Sequence, residues 1–185
     1  MRKVLPVLLV TGMFAAPVVV RSHWTGVASA GTIDEGDLNK IVLNTDGSAT
    51  VRSTISSTSA KIRFNVTSDR DIVEFAPEQD GGSLVFSMRF RDNGPGAHIV
   101  ATLRRVSLNG FHFERPQQTE TLATIDTDEY APSAEWQTGW GRWPKGFNRG
   151  LKFLDDGYVV EVQLIKNNAE GNPGVMGAQV YRDED

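Results

Sequence analysis

Hydrophobic and polar residues alternate along much of the chain with a period of two. In Ile62–Val66, Leu84–Phe90 and Tyr158–Leu164, apolar side chains occupy every second position and polar ones fill most positions between. Successive side chains of a strand point to opposite faces, so each run predicts a half-buried strand, whereas a helix would scatter these residues around its circumference. The predicted core is Ile62, Phe64, Val66, Leu84, Phe86, Met88, Phe90, Val160, Val162 and Leu164.

Turn signals separate these runs. Asp46-Gly47 and Asn109-Gly110 are typical of two-residue hairpins, and each lies between two apolar runs. Further strands are predicted at Ile72–Phe75, Glu120–Ile125 and Val175–Tyr181. About nine or ten short strands without a helical period predict an all-β fold. We expect an antiparallel two-sheet β-sandwich, of jelly-roll or concanavalin-like type.

The first thirty residues have the pattern of a signal peptide. Arg2 and Lys3 precede the apolar run Val4–Val20, and Ala28-Ser29-Ala30 matches the small-residue motif before a cleavage site. The alternative is an uncleaved anchor, but the run is short for a bilayer and contains prolines. We therefore predict a signal peptide over residues 1–30, a single domain over residues 31–185, a secreted or extracytoplasmic location and no membrane span after cleavage.

Composition narrows the function classes. The chain of 185 residues has no cysteine, which excludes disulfides and thiolate metal sites, and its formal charge is −4. The predicted signal contains basic residues and no acidic one, so its removal makes the charge more negative. An acidic domain is a poor candidate for general nucleic-acid binding, and we predict no nucleic-acid partner.

One segment, residues 127–150, lacks alternation and is predicted to be a long loop rich in tryptophan. Trp136, Trp140 and Trp143 are three of the four tryptophans, and Arg142 and Lys145 make the segment locally basic. Flat aromatic rings with polar handles can stack on sugar rings and donate hydrogen bonds to hydroxyl groups. The predicted ligand-binding residues are Tyr130, Trp136, Trp140, Arg142, Lys145 and Trp143.

The same segment has other interpretations. Tryptophan and arginine are also enriched where proteins bind each other, and aromatic residues can lie at a lipid surface. A structural interpretation carries equal weight: the loop folds back over a sheet and buries its indoles, since three exposed tryptophans without a partner would be a liability.

Acidic residues cluster at Asp126, Asp128 and Glu129. Carboxylate oxygens at loop positions are ligands that calcium prefers, and this is the predicted calcium site should the protein need one. The alternative is a set of solvated turn acids, because no EF-hand spacing is present. No other cofactor is predicted.

Catalytic signatures are weak. The sequence has no Gly-x-Ser-x-Gly turn, and the two histidines that follow the predicted signal peptide, His98 and His112, match no zinc-binding pattern. In architecture the chain resembles exported bacterial β-sandwich proteins, a likeness that rests on no motif and implies no residue roles. Three functions stay open. The first is a non-catalytic binding module for a glycan, the second a polysaccharide hydrolase or lyase, and the third a cell-surface structural protein with a protein partner.

Overall fold

The computed structural model describes residues 23–67, 83–107, 119–141, 143, 151, 153 and 156–183. Within them the chain forms strands and short 3-10 helices, and no other helix. The strands are β1 (His23–Val27), β2 (Thr32–Ile33), β3 (Ile41–Leu43), β4 (Ala49–Val51), β5 (Thr58–Val66), β6 (Ser83–Asp92), β7 (Ala97–Ser107), β8 (Thr119–Asp126), β9 (Ser133–Trp140), β10 (Asp156–Lys166) and β11 (Gly174–Asp183). No helix in this part of the chain is long and apolar enough to cross a membrane.

The strands form two antiparallel sheets. The six-stranded sheet has the order β3-β4-β11-β6-β9, and β1 also pairs with β11 beyond the end of β4. The five-stranded sheet has the order β2-β5-β10-β7-β8. Successive long strands cross between the sheets, as from β5 to β6 and from β6 to β7. The predicted two-sheet β-sandwich is confirmed.

The core lies between the two sheets and contains the predicted residues. Nine of the ten are buried, and Leu84 is partly buried against the same cluster. Val160 pairs with Phe64 on one side and Leu103 on the other, which places β10 at the centre of its sheet. The strand alternation seen in the sequence is therefore the alternation between core and surface.

The first hairpin differs from the prediction in its loop length. Asn44 N–H donates to Ser48 O at 2.8 Å, so three residues, Thr45 to Gly47, form the loop rather than two. Gly47 has a φ of 87°, which is the left-handed conformation that glycine adopts without a steric cost. A turn followed by a left-handed glycine is the usual solution for three-residue hairpins.

The prediction of one long loop over residues 127–150 is wrong for its central part. Thr127–Glu129 is a 3-10 helix and Ser133–Trp140 is strand β9, which pairs with β6 at the edge of the six-stranded sheet. The alternation was missing because β9 places a glycine against the core. A Cβ on Gly139 would lie 3.0 Å from the rings of Phe90 and Tyr130, which fill that space.

The segment before the predicted cleavage site is part of the sheet. β1 pairs with β11, and the Trp24 ring packs edge-on against Phe64 with centroids 6.4 Å apart. Trp24 is 8% exposed and Ala28 is fully buried. Cleavage after Ala30 stays a prediction, and it would remove this strand and its tryptophan from the core.

Several predictions lie outside the described residues. These are the apolar run Val4–Val20, the strand Ile72–Phe75, the Asn109-Gly110 hairpin, and the ligand-binding residues Arg142 and Lys145.

Replacing Phe86 with alanine tests the core. Phe86 is fully buried at the centre of β6, so Phe86→Ala should lower the free energy of unfolding by about 3–5 kcal/mol, because it leaves a cavity. Leu43→Ala is the control, since Leu43 is 46% exposed and should cost far less. The measurement is denaturant unfolding, and a loss below about 1 kcal/mol for Phe86→Ala would contradict its burial.

Candidate functional site

The outer face of the six-stranded sheet carries an unusual set of side chains. Phe86, Met88 and Phe90 of β6 point into the core, so Arg89 and Arg91 of the same strand point outward. Thr138 of β9 lies opposite Arg89 in the sheet register. On the other side of β6, Gly177 of β11 lies opposite Arg89. Gly177 also pairs with Val27 of β1, so these positions form one row across the sheet.

Two of the predicted tryptophans lie on this outer face. Trp140 lies opposite Ser87 in the sheet register and is 55% exposed. The ring of Trp136 lies against the Arg91 guanidinium, whose carbon is 5.2 Å from the ring centroid, a cation–π contact. The two tryptophans are four residues apart on one strand, about 13 Å by the rise of a β-strand. We call the surface formed by Arg89, Arg91, Trp136, Thr138 and Trp140 the tryptophan face.

Two clefts open on the tryptophan face. The larger, of about 550 Å³, lies beside Trp136 and Arg91, and its other polar lining includes Asn44, Asp46, Thr50 and Asn172. The smaller, of about 280 Å³, lies beside Arg89 and Thr138, with Thr25 and Gln179 among its lining. Amide and hydroxyl groups beside exposed indoles can hydrogen-bond a polar ligand whose apolar faces stack on the rings.

Tyr130 and Trp143 serve packing rather than this surface. The Tyr130 ring packs edge-on against Phe90 with centroids 5.4 Å apart, and its hydroxyl accepts a hydrogen bond from Trp140 N–H at 2.9 Å. The same hydroxyl donates to Trp140 O at 3.3 Å, so Tyr130 fixes the end of β9. Trp143 is partly buried against the core. The structural interpretation of the segment therefore describes these two residues, whereas Trp136 and Trp140 lie on the outer face.

The acidic cluster gathers around a histidine that sequence reasoning had set aside. His98 Nε2 lies 2.8 Å from Asp126 Oδ1 and 3.7 Å from Asp128 Oδ2. Asp126 also accepts from the Asp128 backbone N–H at 3.0 Å. Of the predicted calcium ligands, Asp126 and Asp128 belong to this group, and Glu129 does not. His98 was missed because its nearer partner, Asp126, is 28 residues away in sequence.

This cluster offers one imidazole nitrogen and two carboxylates. Three such donors match an open zinc site, whereas calcium takes six to eight oxygen ligands. The hydrogen bonds within the cluster are sufficient to explain why the three side chains converge at a cleft of about 390 Å³.

The outer face of the five-stranded sheet has a different character. Glu161 in β10 accepts hydrogen bonds from Lys61 Nζ at 3.0 Å and from Arg63 Nε at 2.9 Å, with Arg104 Nη1 at 3.9 Å. Burial would by itself raise the pKa of Glu161, but the two hydrogen bonds and the surrounding positive charge outweigh it and lower the pKa. A carboxylate held ionised in this way is structural, and it is a poor general acid.

Glu161→Gln should lower the free energy of unfolding at neutral pH by about 1–3 kcal/mol, because it breaks hydrogen bonds to charged groups. A lowered folded-state pKa means that this stabilisation is complete above the ordinary value of 4.5 and is lost as the pH falls through the folded-state value. The difference in the free energy of unfolding between wild type and Glu161→Gln should therefore shrink below about pH 4.

Glu120→Gln is the matched control for this measurement. Glu120 pairs with Arg105 at 2.7 Å but its side chain is 49% exposed, so its loss should cost about 1 kcal/mol or less. A difference between wild type and Glu161→Gln that stays constant down to low pH would contradict the ionised role of Glu161.

The chain matches no family model and no curated protein. Solved structures that match it include a family two carbohydrate esterase from Cellvibrio japonicus, at 11% identity and a TM-score of 0.41 over 88% of this chain and 34% of that one. The chain thus spans about a third of that protein's length.

Two further matches are whole binding modules. A xylan-binding module, CBM15, matches at 9% identity and a TM-score of 0.42 over 90% of this chain and 94% of that one. A family 11 carbohydrate-binding module from Clostridium thermocellum, in complex with a β-1,3-1,4-mixed-linked tetrasaccharide, matches at 16% identity and a TM-score of 0.38 over 91% of each chain. At such low identities and TM-scores, the similarity to these structures assigns no role to any residue of this chain.

Proposed function

We propose that this chain is a non-catalytic carbohydrate-binding module that holds a glycan on the tryptophan face. The observation that carries the proposal is the placement of Trp136 and Trp140 on one outer face of the six-stranded sheet, with the Trp140 side chain 55% exposed. Exposing an indole to water is unfavourable, and a large exposed aromatic surface is typical of a binding site.

The chemistry of the tryptophan face suits sugars. A pyranose ring has an apolar face of C–H groups and a polar edge of hydroxyls, so it pairs with an aromatic ring and with amide or hydroxyl groups at once. Trp136 and Trp140 supply the rings. Asn44, Thr50 and Asn172 beside Trp136 supply the hydrogen-bonding edge. The spacing of the rings exceeds one sugar ring, which favours an oligosaccharide or polysaccharide chain.

The carboxylates that the structure describes near this surface favour binding over hydrolysis. A glycosidase needs a general acid whose pKa is raised. Asp46 lines the cleft beside Trp136, and hydrogen bonds from the Ser48 hydroxyl and backbone N–H lower its pKa instead. Asp46 is therefore suited to accept a hydrogen bond from a sugar hydroxyl rather than to protonate a glycosidic oxygen.

We also propose that the chain is exported. The proposal rests on Arg2, Lys3 and the apolar run Val4–Val20, which form the pattern of a signal peptide. An extracytoplasmic location is where a polysaccharide ligand would be met.

Replacing Trp140 with alanine tests the binding proposal. Trp140→Ala should abolish most of the affinity for the bound glycan while shifting the melting temperature little, because the ring is more exposed than buried. The measurement pairs thermal melts with affinity electrophoresis over a panel of soluble polysaccharides, followed by calorimetry on those that bind.

Trp143→Ala is the matched control, since Trp143 packs against the core and should lose stability. If no glycan binds the wild type, or if Trp140→Ala binds as well as the wild type, carbohydrate binding at this surface is refuted. Retention of a cell-surface protein by the wild type and not by Trp140→Ala would then favour a protein interface.

The amino terminus of the exported protein provides a separate test. We expect the apolar run to be absent, and a first residue at Gly31 is the predicted outcome. The packing of Trp24 makes a cut upstream of β1 the alternative outcome, because a chain that begins at Gly31 lacks β1 and should melt at a lower temperature than one that retains it. N-terminal sequencing decides between these positions, and an exported protein that retains Val4–Val20 would contradict the signal peptide.

A further inference from the structure

The two arginines of the tryptophan face have no carboxylate within ion-pair distance in the part of the chain that the structure describes. Neither Arg89 nor Arg91 forms an ion pair there. Elsewhere Arg63 and Arg104 lie beside Glu161, and Arg105 lies beside Glu120. Arg91 lies near enough to Asp46 for its charge to contribute, after the hydrogen bonds from Ser48, to the lowered pKa of that carboxyl group, but no ion pair forms. Arg89 has no carboxylate partner within the described residues, and the fold does not explain this.

The surroundings leave Arg89 open to a ligand and Arg91 partly accessible. Arg89 is exposed and lines the smaller cleft, where its neighbours Thr138 and Gln179 are uncharged. Arg91 is partly buried under the Trp136 ring, and its Nε is buried without a hydrogen-bond partner within the described residues, so its terminal nitrogens are the donors that would reach a ligand. Asp46 is the acidic residue that lines the larger cleft with Arg91, and its carboxylate accepts two hydrogen bonds from Ser48.

The geometry places positive charge where a stacked glycan would pass. Arg89 lies between the positions of Trp136 and Trp140 along the sheet, because it is opposite Thr138 in the register. Arg91 is two residues away on the same strand, about 7 Å by the strand rise. A guanidinium presents a planar fork of donors that matches a carboxylate or a sulfate group in a bidentate arrangement.

We propose that the ligand of the tryptophan face is an acidic glycan, and that Arg89 and Arg91 bind its anionic groups. This inference rests on the proposed function and names its ligand class: a polysaccharide with carboxylate or sulfate groups on its sugar rings. The rings of Trp136 and Trp140 bind the sugar faces, and the arginines distinguish a charged chain from a neutral one of the same shape. The protein's net charge of −4 opposes such a ligand in general, so recognition depends on this local positive surface.

The test uses the full mature protein and pairs of polymers that differ in charge alone. One pair is polygalacturonate and its carboxyl-reduced product, and the other is dextran sulfate and dextran. We expect the wild type to bind an anionic polymer at least about tenfold more tightly than its neutral counterpart, because a charge-assisted hydrogen bond is lost with the anion. The pair that shows the difference identifies carboxylate or sulfate, and the difference should shrink at high salt.

Arg89→Gln should lower the affinity for the anionic polymer by about tenfold, a clearly larger loss than it causes for the neutral polymer. Arg105→Gln removes the same charge from a residue that pairs with Glu120, away from the tryptophan face, and should bind like the wild type. Trp140→Ala should weaken binding of both polymers in a pair. This pattern separates a specific role of Arg89 from a general effect of net charge.

The two proposals fail in different ways. If Trp140→Ala loses binding but charged and neutral polymers bind the wild type equally, the acidic-ligand inference is overturned and carbohydrate binding stands. The same conclusion follows if Arg89→Gln binds the anionic polymer as the wild type does. If no polysaccharide, charged or neutral, binds the wild type, the proposed function fails and this inference fails with it.

Discussion

The alternation of side chains along the central strands is the constraint on which the rest of this structure depends. In β6 the residues Phe86, Met88 and Phe90 are buried between the sheets, with exposures of 1% or less. Because a strand cannot turn two neighbouring side chains to the same face, the residues between them must face outward. The hydrophobic packing that holds the sheets together therefore also determines the outward direction of Arg89 and Arg91. A one-residue change of register would exchange the two sets, so core and surface are specified together.

The edge strand β9 depends on that core in turn. It lies at the end of the six-stranded sheet and buries little apolar area of its own, so other contacts must position it. Tyr130 supplies them through its ring, which packs on Phe90, and through its hydroxyl, which bonds both the N–H and the carbonyl of Trp140. Gly139 leaves the space in which the Tyr130 and Phe90 rings meet. Trp140 is thereby displayed on a strand whose backbone is fixed, which lowers the conformational entropy lost when a ligand binds.

The sequence predicts the buried half of this molecule better than its surface. Apolar alternation identified β5, β6 and β10, because each of these strands has one face in the core, and burial leaves a period of two in the sequence. It could not identify β9, whose core-facing position is a glycine and whose exposed positions include tryptophan. It also could not identify His98 as a neighbour of Asp126, since the sheet brings together residues that are 28 positions apart. Composition singled out the tryptophans as candidate ligand-binding residues, which stays a prediction. Only the structure shows that Trp136 and Trp140 lie on one face while Trp143 packs against the core.

The two outer faces of the sandwich show how a stable surface differs from one that is suited to a ligand. On the five-stranded sheet the charges are matched: Glu161 accepts hydrogen bonds from Lys61 and Arg63 and forms a longer ion pair with Arg104. On the six-stranded sheet the arginines lie beside indoles and amides, and the guanidinium of Arg91 is partly desolvated under Trp136, with Asp46 nearby but not within ion-pair distance. Desolvating a cation without a counter-ion is unfavourable for folding.

A sequence selected for stability alone would place an acidic residue on the neighbouring strand, as β10 does for β5. Departures from such local consistency concentrate at functional sites, and the tryptophan face combines two of them, exposed indole and unmatched positive charge.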